Sequence, residues 1–240
     1  MSQFSYAAIT RQDPNPFKRY LQNKRLRDAV GLLGRRRPET IVDYGAGDGE
    51  LAYVIRRKLP DTRIVGFEPS LLLRAQAEAH IGAMPGVTLT DDAAQIADGS
   101  ADAIFCLEVF EHLPPEETRT ALAHMVRILK DDGVLIVGVP VEIGLAAWVK
   151  GRFRSLRRDD FDTDRNHIAQ AVRRDIRFER FRVDFDTSGG YYPHHLGFDY
   201  RELLKALDGC FELEKRWSSP FLLMPTEWNS ELNLLLTKRT

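Results

Sequence analysis

The sequence predicts an α/β fold in which a mostly parallel sheet is covered by helices on both faces. Two observations carry this. Short apolar runs alternate with helix-periodic segments from Thr40 to Pro140. Those runs, such as ADAIFCLEV at 101–109 and GVLIVGV at 133–139, are nearly continuous rather than alternating, as strands buried on both faces are. A chain of 240 residues with 43% hydrophobic content suits one such domain with modest additions.

Each element follows in order. The start to about Asn15 reads as loose, with Pro14 and Pro16 as punctuation. A helix is expected over 17–33, with Leu26, Ala29, Val30 and Leu33 on one face. Residues 1–38 then form an N-terminal helical extension, and 39–240 the main domain. Strands are expected at 40–44, 63–67, 87–90, 101–109 and 133–139. Helices are expected at 50–59, stopped by Pro60, and at 71–81 and 116–129. The rhythm breaks after Pro140. Residues 141–195 read as an insertion, rich in Arg and Asp. A helix at 200–207 and strands at 211–217 and 231–237 follow. About ten residues with two prolines join that last pair, which predicts antiparallel pairing.

Composition narrows the function. The formal net charge is −1, so no nucleic-acid partner is expected from an overall basic excess. Cys106 and Cys210 read as buried free thiols, suited to a reducing compartment. No stretch is apolar enough to span a membrane, and the first residues lack the pattern of a signal peptide. A cytoplasmic location is the expectation.

The segment IVDYGAGDGEL at 41–51 carries the first chemical signal. Asp43 ends a strand, and Gly45, Gly47 and Gly49 fill the turn into a helix. Gly45 and Gly47 give the turn its conformational freedom and leave bare backbone against a ligand. Glu68 ends the second strand, about twenty residues on, where a carboxylate can accept from two vicinal ribose hydroxyls. A dinucleotide fingerprint wants a third glycine at position 50, which is Glu. Asp43 and Asp48 would repel a pyrophosphate. They favour a ligand that carries positive charge.

The loop, GFEPS at 66–70, the pair Asp91–Asp92 after the third strand, and FCLEVFEHL at 105–113 together resemble the class I S-adenosylmethionine-dependent methyltransferases, near the ubiquinone-pathway O-methyltransferases. The resemblance implies a Rossmann-like, doubly wound seven-stranded sheet with the last strand antiparallel. It implies that S-adenosylmethionine is bound and S-adenosylhomocysteine released. Asp43, Gly45, Ala46 and Gly47 would hold the methionine end, Glu68 with Pro69 the ribose, and Asp91 or Asp92 with Ala93 the adenine. Leu107 and Glu108 would flank the cofactor. The acceptor is expected to be a small or lipid-linked molecule, methylated most readily at oxygen.

Glu108, Glu111 and His112 stand at i, i+3 and i+4, and share a face if Val109–His112 makes a helical turn. His112 can then act as a general base, the three can hold a divalent metal, or the pair 111–112 only caps the turn. His195 is a second catalytic candidate, from the pair His194–His195. Tyr191 and Tyr192 are candidates to line a pocket. In the insertion, Leu145, Trp148, Val149 and Leu156 can share a helical face bordered by Lys150, Arg154, Arg157 and Arg158. Such a face suits either packing on the core or peripheral contact with an anionic membrane. Three rival readings are an NAD-dependent reductase, a binder without chemistry, and a nucleic-acid methyltransferase. The reductase's Tyr-x-x-x-Lys occurs only at Tyr20 and Lys24, upstream of the loop. The nucleic-acid reading lacks an Asn/Asp-Pro-Pro-aromatic motif after the fourth strand.

Overall fold

The computed structural model describes residues 16–157, 159–183, 190–221 and 223–239, with side chains from Lys24 onward. The loose start expected before Asn15, and Arg158, lie outside the described residues. Strands β1 (Thr40–Tyr44), β2 (Arg63–Phe67), β3 (Val87–Thr90), β4 (Ala101–Leu107), β5 (Leu129–Pro140), β6 (Phe211–Ser219) and β7 (Glu231–Lys238) form one seven-stranded sheet in the order β3-β2-β1-β4-β5-β7-β6. Six strands run parallel and β7 runs antiparallel. The order reverses at β1, so the chain leaves β1 and β4 in opposite directions, as at the switch point where doubly wound folds bind ligands. Helices α1 (Pro16–Gly31), α2 (Glu50–Lys58), α3 (Leu71–Ile81), α4 (Pro115–Ile128), α5 (Gly144–Ser155), α6 (Arg165–Arg173) and α7 (Tyr200–Asp208) complete the described elements. No described helix is long and apolar enough to cross a membrane.

The chain divides into two compact units, 1–106 with 124–136, and 107–123 with 137–240. In the first unit β1 lies between β2 and β4, with Asp43 opposite Gly66 on one side and Phe105 on the other. Ile41, Val42, Ile64, Ile104 and Phe105 are fully buried there, which is why these runs do not alternate. Asp102 secures the start of β1 by accepting from the backbone N–H of Glu39 and Thr40. Cys106 is buried as expected. Cys210, expected buried, is half-buried, because it follows the end of α7 rather than lying within a strand.

In the second unit β6 and β7 pair antiparallel, from Phe211 opposite Lys238 to Ser219 opposite Glu231. The insertion is more ordered than its composition suggests. Asp164 caps α6 by accepting from His167 N at 2.9 Å, and Gly151 lets α5 approach α6 closely, since a Cβ there would lie 2.6 Å from Ile168 Cδ1. Ala147, Ala171 and Leu196 form a small buried cluster, with Phe161, Ile168, Val172 and Phe178 packed against it.

The basic border expected around α5 needs correction. Lys150 and Arg154 turn inward onto Glu142, which is fully buried. Lys150 Nζ lies 3.0 Å from Glu142 Oε1, and Arg154 donates to both carboxylate oxygens at 2.8 and 2.9 Å. Burial pushes the Glu142 carboxyl up, but the charges of Lys150 and Arg154 outweigh it and hold the group at about 2. A carboxylate taken out of water requires such partners, and these two basic side chains supply them. The apolar residues do face outward, with Trp148 55%, Phe153 61% and Leu156 69% exposed.

Candidate functional site

The glycine loop docks on the end of β2. Gly45 N and Ala46 N both donate to the Phe67 carbonyl, at 2.8 and 3.0 Å. Gly47 N donates to Glu68 Oε2 at 2.8 Å, and Ser70 N to Glu68 Oε1 at 2.9 Å. Gly45, Gly47 and Gly49 all have positive φ, at 86°, 56° and 82°, which L side chains rarely adopt. At Gly49 the space is also closed, since a Cβ would meet Ile81 Cδ1 at 2.7 Å. Pro69 is exposed between buried Glu68 and Ser70.

Asp43, Asp48 and Glu68 are all buried. Asp43 Oδ2 has no hydrogen-bond partner among the described residues. Burial, then the neighbouring charges of Glu68 and Asp48, push the Asp43 carboxyl from 3.8 up to about 7. Three buried acids thus gather around the side-chain-free backbone of the glycine loop. S-adenosylmethionine brings an ammonium and a sulfonium, so the donor set fits that group, and a pyrophosphate would add to the repulsion.

Farther along this unit, Asp91 is exposed and pairs with Arg74 at 2.9 Å. Asp92 caps the turn that follows, accepting from Ala94 N at 2.8 Å, and Ala93 is buried. Arg74, which also donates to the Glu68 carbonyl at 3.1 Å, ties the end of β2 to the acidic pair. It is absent from the sequence reading, because an Arg in a helix carries no mark of its partner 17 residues away.

The second unit begins at Leu107. Gly138 packs against it, with a Cβ there falling 2.8 Å from Leu107 Cδ2. Glu108 N donates to the Gly138 carbonyl at 2.8 Å, and Glu108 itself has a positive φ of 55°. Such backbone strain in a non-glycine residue concentrates at functional sites. The shared helical face expected for Glu108, Glu111 and His112 does not form. Residues Phe110–His112 make a single 3-10 turn, and Glu108 lies outside it in the left-handed region. The structure instead groups Glu111, His112 and His195, with one ligand atom of each within 4.8 Å of the others.

His112 is held on three sides. Its Nδ1 lies 2.8 Å from the Tyr192 carbonyl, its ring stacks on Tyr191 at 4.5 Å, and His195 meets it edge-on at 4.8 Å. A carbonyl only accepts, so Nδ1 carries the proton and Nε2 keeps the lone pair. Burial, then His195, push the His112 imidazole down to about 4, so the ring is neutral at pH 7. Burial also pushes His195 down. The histidine pair separates: His194 packs against Phe161 and Phe181, 3.3 Å from Asp162, while His195 joins His112. Buried Asp162 positions this segment by accepting from Leu196 N at 3.1 Å. Glu142 and Arg180 complete the surroundings of the histidines, and the sequence reading contained neither as a site residue.

A family profile described as a methyltransferase domain matches residues 17–192. The malonyl-(acyl-carrier protein) O-methyltransferase of Xylella fastidiosa is 29% identical over 140 residues, 55% of this chain and 45% of that protein. The trans-aconitate 2-methyltransferase of Deinococcus radiodurans is 26% identical over 181 residues, 75% of this chain and 62% of that protein. The chain spans about half the length of the curated relatives it matches. Among solved structures, the PH0226 protein of Pyrococcus horikoshii superposes with a TM-score of 0.64 at 15% identity, over 98% of this chain and 96% of that one. The N-methyltransferase NodS of Bradyrhizobium japonicum, solved with S-adenosyl-L-homocysteine, gives 0.58 at 14% identity, over 96% and 91%. With the profile covering most of its length, the chain belongs to the class I S-adenosylmethionine-dependent methyltransferase superfamily.

Proposed function

We propose that the chain transfers a methyl group from S-adenosylmethionine to an oxygen of a small-molecule or lipid-linked acceptor, with His112 as the general base. The observation that carries the base assignment is the His112 tautomer: Nδ1–H donates to the Tyr192 carbonyl, which leaves the lone pair on Nε2 to accept a proton. In this reading Asp43, Gly45, Ala46 and Gly47 hold the methionine end, Glu68 and Pro69 the ribose, and Asp91 or Asp92 with Ala93 the adenine. Leu107 and Glu108 flank the bound cofactor. When bound, S-adenosylmethionine supplies an already activated methyl group, so the protein's share is alignment, exclusion of water and removal of one proton. His195 orients His112 by edge contact and keeps the base in a poorly hydrated setting.

One relative supports oxygen, being a malonyl-(acyl-carrier protein) O-methyltransferase. The exposed Trp148, Phe153 and Leu156, beside exposed Arg152 and Arg157, support an acceptor presented at a membrane surface. The free thiols suit the cytoplasm.

The test is release of S-adenosylhomocysteine from S-adenosylmethionine with hydroxyl- and carboxyl-bearing metabolites. With hydroxyl acceptors His112→Gln is expected to lower kcat by about 10²–10⁴-fold and leave cofactor affinity unchanged, whereas a carboxylate, already ionised at neutral pH, needs no base. At saturating S-adenosylmethionine, where the ionisation of Asp43 does not limit binding, kcat should be lost on the acid side only as pH falls toward 4, where the His112 imidazole gains its proton. Full activity in His112→Gln would remove the base. A second reading places a divalent cation on Glu111, His112 and His195, whose ligand atoms lie close together. Activity that a chelator abolishes and added metal restores would favour it.

A further inference from the structure

We propose that Arg180 anchors a carboxylate of the acceptor, which makes the substrate an organic acid. The inference rests on the methyl-transfer reading for its use, though not for its geometry. Within the second unit a cavity of about 410 Å³ is lined by Phe178, Glu179, Arg180, Arg182, Tyr192 and Gly197. That volume suits a small molecule.

Arg180 is half-buried at this cavity and held in one pose. Its Nη2 donates to the Glu111 carbonyl at 2.6 Å and to the His194 carbonyl, and its guanidinium lies 4.2 Å over the Tyr192 ring. Nη1 makes no hydrogen bond to the described residues and is the donor left accessible, while Nε–H is buried with no acceptor among them. The other arginines around it differ. Arg182 pairs with Glu116 and Arg154 with Glu142, whereas no described carboxylate lies within ion-pair distance of Arg180. Two carbonyls and a ring fix the guanidinium, and among the described residues its charge is met only at longer range, by Glu111, Asp162 and Glu142. Glu179 also lines the cavity, but it is solvent-exposed, where water and salt screen its charge. A fixed cation with Nη1 unbonded at a cavity wall suits an oxyanion.

The placement connects to the chemistry. Tyr192 carries Arg180 on its ring and holds His112 through its carbonyl. Arg180 grips the carbonyl of Glu111, the residue before His112. Arg180 therefore adjoins the segment that carries His112, on the side of the ring where Nδ1 meets the Tyr192 carbonyl.

The test uses the full chain and binding rather than turnover. Succinate and citrate, their neutral methyl esters, and inorganic phosphate are titrated by calorimetry. In parallel the arginine Nε–H resonances are followed by NMR. The acids are expected to bind the wild type at least tenfold tighter than the esters and phosphate, and to shift one arginine Nε–H. Arg180→Gln should lose at least tenfold in acid affinity, while Arg177→Gln, outside the cavity and paired with Asp175, should not. Arg180→Lys, which keeps the charge, covers the case in which the Gln variant fails to fold; it should recover part of the affinity. Equal binding of acid and ester, preference for phosphate, no acid binding, or unchanged affinity in the folded Arg180 variants overturns the proposal. Acid binding without methyl transfer to any carboxyl-bearing acceptor would instead overturn the reading of function and leave the anion site standing.

Discussion

Replacing Asp43 with Asn removes one charge from the acidic loop and keeps the side chain's shape. In the folded chain the Asp43 carboxyl is pushed from 3.8 up to about 7 by burial and by Glu68 and Asp48. A raised acid holds its proton better folded than unfolded, so stability falls as pH rises from about 4 to about 7 and stays low above that. At about 1.4 kcal/mol per pH unit, the ionised carboxylate costs roughly 4 kcal/mol at pH 8. An amide in the same place carries no charge, but it brings donors that need acceptors, a cost of about 1–3 kcal/mol. Without cofactor, Asp43→Asn is therefore expected to match or trail the wild type at pH 4 and to exceed it by about 1–3 kcal/mol at pH 8. Urea denaturation of both proteins at pH 4, 6 and 8 measures this, and the difference between them isolates residue 43 from other titrating groups. Binding should move the other way. S-adenosylmethionine needs the ionised form, so wild-type affinity should rise with pH up to about 7 with release of a proton, and Asp43→Asn should bind about 10²–10³-fold more weakly. A variant no more stable at pH 8 than at pH 4 relative to wild type, or one that binds the cofactor normally, would refute the reasoning.

Two further outcomes are expected. Glu142→Gln leaves Lys150 and Arg154 without their carboxylate, and should destabilise the fold by about 3–5 kcal/mol in denaturant melts at pH 7. Because Glu142 is held at about 2, its contribution is complete above about 4.5 and is lost as pH falls toward 2, so the gap between wild type and variant should close in that window. The wild-type chain should sediment with anionic liposomes, and Trp148→Ser with Phe153→Ser should abolish this. Failure of the wild type to bind would remove the membrane surface from the reading.

Much of the fold was legible because its signals are local. The run from Thr40 to Tyr44, the glycines at 45, 47 and 49, and Pro60 each act within a few residues, and the structure places β1, the loop and α2 where they indicate. The buried acids were legible for a similar reason. Asp43 and Glu68 stand at strand ends, and parallel pairing puts the ends of adjacent strands side by side. The 3-10 turn at Phe110–His112 was not legible, because a spacing of three and four suits an α-turn equally well until Glu108 is seen in the left-handed region.

The sequence by itself determined the class of ligand. Charge and bare backbone in eleven residues, 41–51, with one acid about twenty residues on, are enough to ask for a cationic nucleoside. Tertiary structure decided the rest. It separated His195 from His194, turned Lys150 and Arg154 from a basic border into partners of Glu142, and left Arg180 at a cavity with Nη1 unbonded among the described residues. The physical reason is desolvation. Whether a charged side chain is a solvated ornament or a buried group that must find a partner depends on what the chain folds over it, and that is set by residues far away in sequence.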